Sequence, residues 1–402
     1  MNVLRTGSET GAATTLLATP RPARLLRLRT MARVGARMMF HDKMKLAGTL
    51  FGVVFAVFLT NQQLGVFLGL LSKNTMFIDH AGADLWVVPG STETLQPGKP
   101  VAMEALYQAR TTPGVAWAAP LLFGGATVSL PAGGSQPVTL VGTKSPDWRG
   151  GPWNLVAGSV EALRRPDTMI FEDSERDTLG GLNLGSVREV NGHRTLVGGF
   201  TWGLLPFGPS YAFADYDYAR ALMGTPADET SFVLVGVAPG ADRAAVAREV
   251  QARVSPNLVL SANEFRSRVL SFLLVRTGIG ATTGTSSAVG LFIGLVIVSL
   301  SMFSAVLDNV REFGTLKAIG CRNRDVALML LVQSAVYGLL GSLVGLVVVS
   351  LMAEGIRSPR LALVLPWQAY AGTPVVMVFL CGLASLLALL RIRKVEPAMV
   401  FR

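Results

Sequence analysis

Residues 308–326 read DNVREFGTLKAIGCRNRDV, a polar segment set between SSAVGLFIGLVIVSLSMFSAVL (286–307) and ALMLLVQSAVYGLLGSLVGLVVVSLM (327–352). Neither flank contains a charged side chain. A helix needs roughly 20 apolar residues, each rising 1.5 Å, to cross a hydrocarbon core about 30 Å thick. Both flanks meet that length, so 308–326 reads as a short loop between two membrane spans. Two further stretches qualify, Leu46 to Leu71 and Tyr370 to Leu390. The apolar run at 46–71 is too long, and starts too late, for the 7–15 residue apolar region of a cleaved leader.

The composition agrees with a chain that is part membrane and part water-exposed. Half of its 402 residues are hydrophobic and 15% are charged. Between the first and second spans lies a long segment of mixed polarity, large enough for one sizeable domain or two small ones. Charge is distributed unevenly along the chain. Residues 1–45 hold nine Lys/Arg against two acids, 308–325 four against three, and 391–402 four against one. The segment 73–276 instead holds 17 basic and 19 acidic residues. The positive-inside rule therefore places both termini and the 308–325 loop on the cytoplasmic face and the large segment outside. The net charge of +10 reads as membrane topology. A nucleic-acid interface would need that charge on a folded domain, and the large segment is slightly acidic.

Within the large segment, ADLWVVP, QPVTLVG, DTMIF, SVREV and SFVLVGV read as strands, being rich in β-branched and aromatic residues between turn signals. VAMEALYQAR, DYDYARALM and ADRAAVAREVQARV read as helices. The fold class expected is an integral membrane protein with four transmembrane α-helices and an extracytoplasmic α+β domain, residues 72–276, between the first and second. Residues 1–30 read as a disordered cytoplasmic tail. In 31–45, Arg33, Arg37, His41 and Lys45 recur every four residues, which suits either a helix lying on an anionic leaflet or a solvated charged face. Cys321 falls in the inner loop and Cys381 in the fourth span, so the outer domain has no cysteine to form a disulfide.

The sequence offers little catalytic chemistry. VGTKS at 141–145 lacks the glycines of a phosphate-binding P-loop. His41, His80 and His193 are scattered and fit no zinc spacing, and G-x-S-x-G is absent. Glu172, Asp173, Glu175 and Asp177 in FEDSERDTLG do not follow a calcium-loop spacing and read as a solvated turn. An enzyme with its own active site, and a metal site, are therefore not expected. Other polar and aromatic features invite a functional reading. Asn61, Gln62 and Gln63 lie in the outer half of the first span, where bare amides are costly, and serve either as interhelix contacts or as the lining of a substrate path. Gly341 and Gly345 form a GxxxG that allows close helix packing. In GGFTWGLLPFGPSYAF, Phe200, Trp202, Phe207 and Tyr211 are either core or a lipid- or partner-binding surface.

REFGTLKAIG (311–320), followed by CRNRD and an apolar helix, resembles the signature of the FtsX-like, MacB-type permeases of ABC transporters. The topology of four spans with one large outer domain matches that family. FAVFLTNQQLGVFLGLL, ADLWVVPG, DSERDTLGGLNLG, SYAFADYDYARALM and KVEPAMVFR look most like the DevC-like exporter permeases. The resemblance implies a non-catalytic subunit whose inner loop docks on a separate ATPase, with Arg311, Glu312, Phe313, Leu316, Lys317, Ile319 and Gly320 at the contact. ATP and Mg would be bound by that partner and no cofactor by this chain. It further implies a permease dimer in a bacterial inner membrane. A periplasmic membrane-fusion adaptor and an outer-membrane channel are expected alongside, with a lipid-like or amphiphilic cargo. Within the same family, a signalling transducer controlling a cell-wall hydrolase and a lipoprotein-releasing permease are the alternatives.

Overall fold

The computed structural model describes residues 30, 33–40, 43–96, 98–206, 208–355 and 363–392. The tail expected at 1–30 and the C-terminal segment beyond 392 lie outside them, apart from Thr30. Chain contacts divide the protein into two units, one of residues 59–291 and 348–369, the other of the remaining helical segments.

Four helices among the described residues are long and apolar enough to cross a membrane: α1 (Lys43–His80), α6 (Ile279–Asp308), α8 (Asn323–Gly355) and α9 (Trp367–Ile392). In the helical unit they share a core of Val53, Ala56 and Val57 from α1, Val298 and Met302 from α6, Tyr337 and Leu346 from α8, and Met377, Cys381 and Ala384 from α9. Many apolar side chains on the same helices face outward, among them Phe292, Leu343 and Phe379. Such an apolar exterior is unfavourable in water and suits lipid. A helical segment over 33–40 belongs to this unit. The Gln333 side-chain amide donates to the Gly35 carbonyl at 2.9 Å and Met39 is buried, so part of the segment is covered by protein.

The other unit is built on a ten-stranded sheet. Its strands are β1 (Leu85–Val88), β3 (Val115–Ser129), β4 (Ser135–Thr143), β5 (Leu155–Gly158), β6 (Thr168–Glu172), β7 (Val187–Val190), β8 (His193–Thr201), β9 (Tyr211–Asp215), β11 (Phe232–Val237) and β12 (Leu258–Ser261). They run in the order β12-β1-β11-β3-β4-β9-β6-β8-β5, with β7 against β3 and β8. Short β2 (Val101–Ala102) pairs with β10 (Glu229–Thr230). The long strand β3 pairs with β11 through Leu121 and with β4 from Leu122 onward, so one strand serves both halves of the sheet. Helices α2 (Met103–Arg110) and α4 (Arg243–Val254) pack over the first half, and α3 (Tyr216–Met223) over the second. Helix α5 (Ala262–Val275) then leads to α6.

Helix α1 continues beyond its apolar run, and its last turns enter the sheet domain's core. Phe77, fully buried, lies 5.3 Å from the Phe123 ring, 5.5 Å from Tyr211 and 5.9 Å from Trp153. Trp86, Phe232 and Phe265 extend the same aromatic cluster. Aromatic pairs at such separations contribute about 0.5–1.5 kcal/mol each beyond the area they bury. The helix end is therefore fixed by packing, although Lys73, Asn74, Asp79 and His80 make the stretch look like a loop.

Candidate functional site

The polar segment quoted first folds as a helix in its own right, α7 (Val310–Ala318). Asn309 separates it from α6, and a tight turn leads to α8. That turn is closed by hydrogen bonds from Gly320 N–H to the Lys317 carbonyl at 3.0 Å and from Cys321 N–H to the Leu316 carbonyl at 3.0 Å. Gly320 stands at φ +107°, where a Cβ is strained. The Asp325 carboxylate accepts from Arg322 N–H at 3.0 Å at the start of α8.

Arg311, Glu312, Ile319 and Gly320 are exposed, Ile319 to 79%, and Lys317 is half-buried. Among the described residues no ion pair involves Arg311, Glu312 or Lys317. Leu316 turns the other way and packs with Val310 against Val306, Val326 and Leu330 of the adjoining helices. Leu316 and Ile319, expected together at the partner contact, therefore do not share one outward face. The Phe313 side chain lies outside the described residues. The arrangement is a charged, partly apolar knob held against α6 and α8 by an apolar anchor.

The other expected residues divide between the two units. A Cβ on Gly341 would fall 2.9 Å from the Val53 Cβ, and one on Gly345 2.7 Å from the Val57 Cβ, so both glycines mark close approach of α8 to α1. Asn61 is buried at 1% exposure and Gln62 and Gln63 are half-buried. Gln63 lies against Gly290 of α6, where a Cβ would stand 3.0 Å from its Cγ. Phe200 and Tyr211 belong to the core and Trp202 is 40% exposed, while Phe207 lies outside the described residues.

The acidic run requires a correction at Glu172, which is fully buried and not part of a solvated turn. Its Oε1 accepts from Gly203 N–H at 2.6 Å and the Ser174 hydroxyl at 3.1 Å. Its Oε2 accepts from the Thr201 hydroxyl at 3.0 Å and Leu204 N–H at 3.1 Å. Burial pushes its carboxyl above the usual carboxylate range, against the downward pull of these four donors. The Gly203 carbonyl in turn accepts from Lys73 Nζ of α1 at 2.7 Å. One peptide group thus ties the end of α1 to the buried acid. Asp173 pairs with Arg176 at 2.7 Å. Among the described residues, no group of three or more His, Cys, Asp or Glu is placed to hold a metal ion.

Two family models match the chain. The MacB-like periplasmic core domain covers residues 46–253 and the FtsX-like permease C-terminal region covers 284–397, which includes α7. An uncharacterized ABC transporter permease of Mycobacterium bovis is 26% identical over 358 residues, spanning 87% of this chain and 93% of its own. Another, from Methanocaldococcus jannaschii, is 31% identical over 134 residues, and the match spans only 33% of that relative's length. Among solved structures, the extracellular domain of the ABC-type transporter YknZ from Gram-positive bacteria aligns with TM-score 0.34 and 16% identity, covering 44% of this chain and 99% of that one. The periplasmic region of MacB from Actinobacillus actinomycetemcomitans aligns with TM-score 0.37 and 8% identity, covering 46% and 91%. With four membrane-length helices, a large sheet domain between the first two, and these two models along its length, the chain belongs to the FtsX/MacB-type ABC transporter permeases.

Proposed function

We propose that this permease passes the work of a separate ATPase subunit through α7 to its sheet domain, and so drives export of a lipid-like or amphiphilic molecule, as in DevC-like exporters. The observation that carries the reading is the build of α7. Arg311 and Glu312 stand exposed and without an ion pair among the described residues, while Leu316 anchors the helix on Val306, Val326 and Leu330. A partner gripping the charged side would move α6 and α8 with it, because packed side chains transmit displacement and do not absorb it. At the other end of the pathway, Phe77 and Lys73 of α1 are embedded in the sheet domain. A shift of that helix would reach the core of the domain directly.

In this reading the chain lies in a bacterial inner membrane with both termini and α7 in the cytoplasm, and it works as a homodimer on two ATPase copies. A membrane-fusion adaptor and an outer-membrane channel complete the route. The chain needs no cofactor of its own, since ATP and Mg belong to the partner. The test is affinity purification of the tagged protein in mild detergent, comparing wild type with the double variant Glu312→Ala/Lys317→Ala. An ATPase that co-purifies with wild type only, together with an adaptor, supports the reading. Equal recovery from both proteins, or none from either, refutes α7 as the docking element. A cell-wall hydrolase partner in place of the adaptor would refute export.

A further inference from the structure

The sheet domain contains a cavity of about 210 Å³ beside the last turns of α1 and along α5, partly open to the outside. Its apolar lining includes Phe123, Val269, Phe272 and Leu273, and its polar lining includes Asn74 and Tyr211. None of the lining side chains is charged. An apolar cavity of about 150 Å³ is enough for a benzene ring, so this one accepts a ring with a small polar substituent.

Two of its polar lining residues keep hydrogen-bonding capacity that no described residue uses. Tyr211 is only 2% exposed, and its hydroxyl makes no hydrogen bond among the described residues. Burial pushes its ionisation upward, so the group remains a neutral donor. A hydroxyl on the cavity lining with no protein acceptor is placed to donate to a ligand oxygen there. Asn74 uses its Nδ2 on the Leu70 carbonyl at 2.8 Å, which leaves its Oδ1 to accept. The site therefore presents the Tyr211 donor and the Asn74 acceptor beside an apolar wall, with the uncharged side chains of Thr94, Gln96 and Thr139 also on its lining. An ionised headgroup would have to shed its water here against no counter-charge, whereas a neutral hydroxyl matches both groups.

We propose that this cavity is a binding site for the uncharged, hydroxyl-bearing end of an amphiphile, with an apolar body about the size of one ring between Phe123 and Phe272 and its oxygen on Tyr211 and Asn74. Asn74 lies just past the apolar run of α1, so the cavity is close in sequence to where a membrane-derived molecule would emerge. The proposal deepens the export reading and rests on it for its meaning. Its test reads binding alone, so failure here leaves docking at α7 untouched, and failure there leaves this result standing.

The experiment is a saturation-transfer NMR titration of benzyl alcohol onto the full chain held in amphipol, free of detergent and lipid. Wild type, Tyr211→Phe and Gly208→Leu are compared after each gives a melting curve like that of wild type. Tyr211→Phe removes a hydroxyl with no protein partner among the described residues. Gly208 lines the cavity where an added Cβ meets nothing within 4 Å, so Leu narrows the space without a clash at its first carbon. Wild type is expected to saturate, Tyr211→Phe to bind about fivefold more weakly, as the loss of one hydrogen bond gives, and Gly208→Leu to lose at least about tenfold. An equal, non-saturating signal from all three, as simple partition into the amphipol would give, overturns the proposal. So does Tyr211→Phe binding as tightly as wild type. Either variant decides if the other does not fold.

Discussion

Glu172→Ala tests whether the buried acid holds the 201–204 turn against the sheet. The substitution strips acceptors from two backbone N–H groups, Gly203 at 2.6 Å and Leu204 at 3.1 Å, and from two hydroxyls. The hydroxyls can rotate to other partners, and the Thr201 hydroxyl already reaches the Phe171 carbonyl at 3.3 Å. The two amides cannot. A buried donor left bare costs about 1–3 kcal/mol, and since Gly203 is part-exposed the sum is roughly 2–4 kcal/mol. That lowers the local opening free energy enough to speed hydrogen exchange at these amides by about 30- to 900-fold. The assay is hydrogen–deuterium exchange of the 199–205 segment by mass spectrometry in nanodiscs. Lys73→Met removes the donor to the same Gly203 peptide, so its effect and that of Glu172→Ala should be less than additive. Exchange within twofold of wild type in Glu172→Ala would refute the anchoring role. The acid also sets a pH dependence. Its carboxyl is raised by burial, so its contribution to stability is full below the ordinary glutamate range and is lost as pH rises through the raised value. Glu172→Gln should abolish that slope.

Three further variants test other parts of the fold. Gly341→Leu combined with Gly345→Leu drives side chains into Val53 and Val57 and should cost about 1–3 kcal/mol per site. The readout is a lowered melting temperature in nanodiscs, and an unchanged one would mean that α8 does not pack there. Gly320→Ala forces a Cβ onto φ +107° and should loosen the turn after α7 by about 1–2 kcal/mol. Faster exchange at Gly320 and Cys321 would record it. Ser261→Ala breaks the capping box in which Ser261 and Glu264 satisfy each other's backbone N–H groups, at about 1 kcal/mol. Glu264 is held below its usual value by the bonds from Ser261, so its share of helix stability is present above the ordinary glutamate range and lost as pH falls through the depressed value. The pH profile of α5 protection, with a slope opposite in sign to that of Glu172, checks it.

Residues that act through local composition were legible in the sequence, and residues that act through distant partners were not. An apolar run long enough for a bilayer needs no tertiary context, so all four helices have their counterparts in the sequence, as does the polar break at 308–326. The family resemblance of REFGTLKAIG followed from the same local stretch. Strand β3 is not legible in VAWAAPLLFGGATVS because one proline, two glycines and four alanines depress strand propensity, and only pairing with β11 and β4 makes it a strand. The extension of α1 to His80 was hidden for a related reason, since its polar residues resemble a loop until Phe77 finds its ring partners. Ser261 and Glu264 did carry a readable signal, the S-x-x-E spacing of a helix start. Glu172 carried none. It sits among acids that are partly or fully exposed, and the amides that hold it lie at 203 and 204, on a turn that only the fold brings close. The coupling element and the domain it is proposed to move therefore differ in kind. The first is written in a short stretch of sequence, whereas the second depends on contacts that no local pattern encodes.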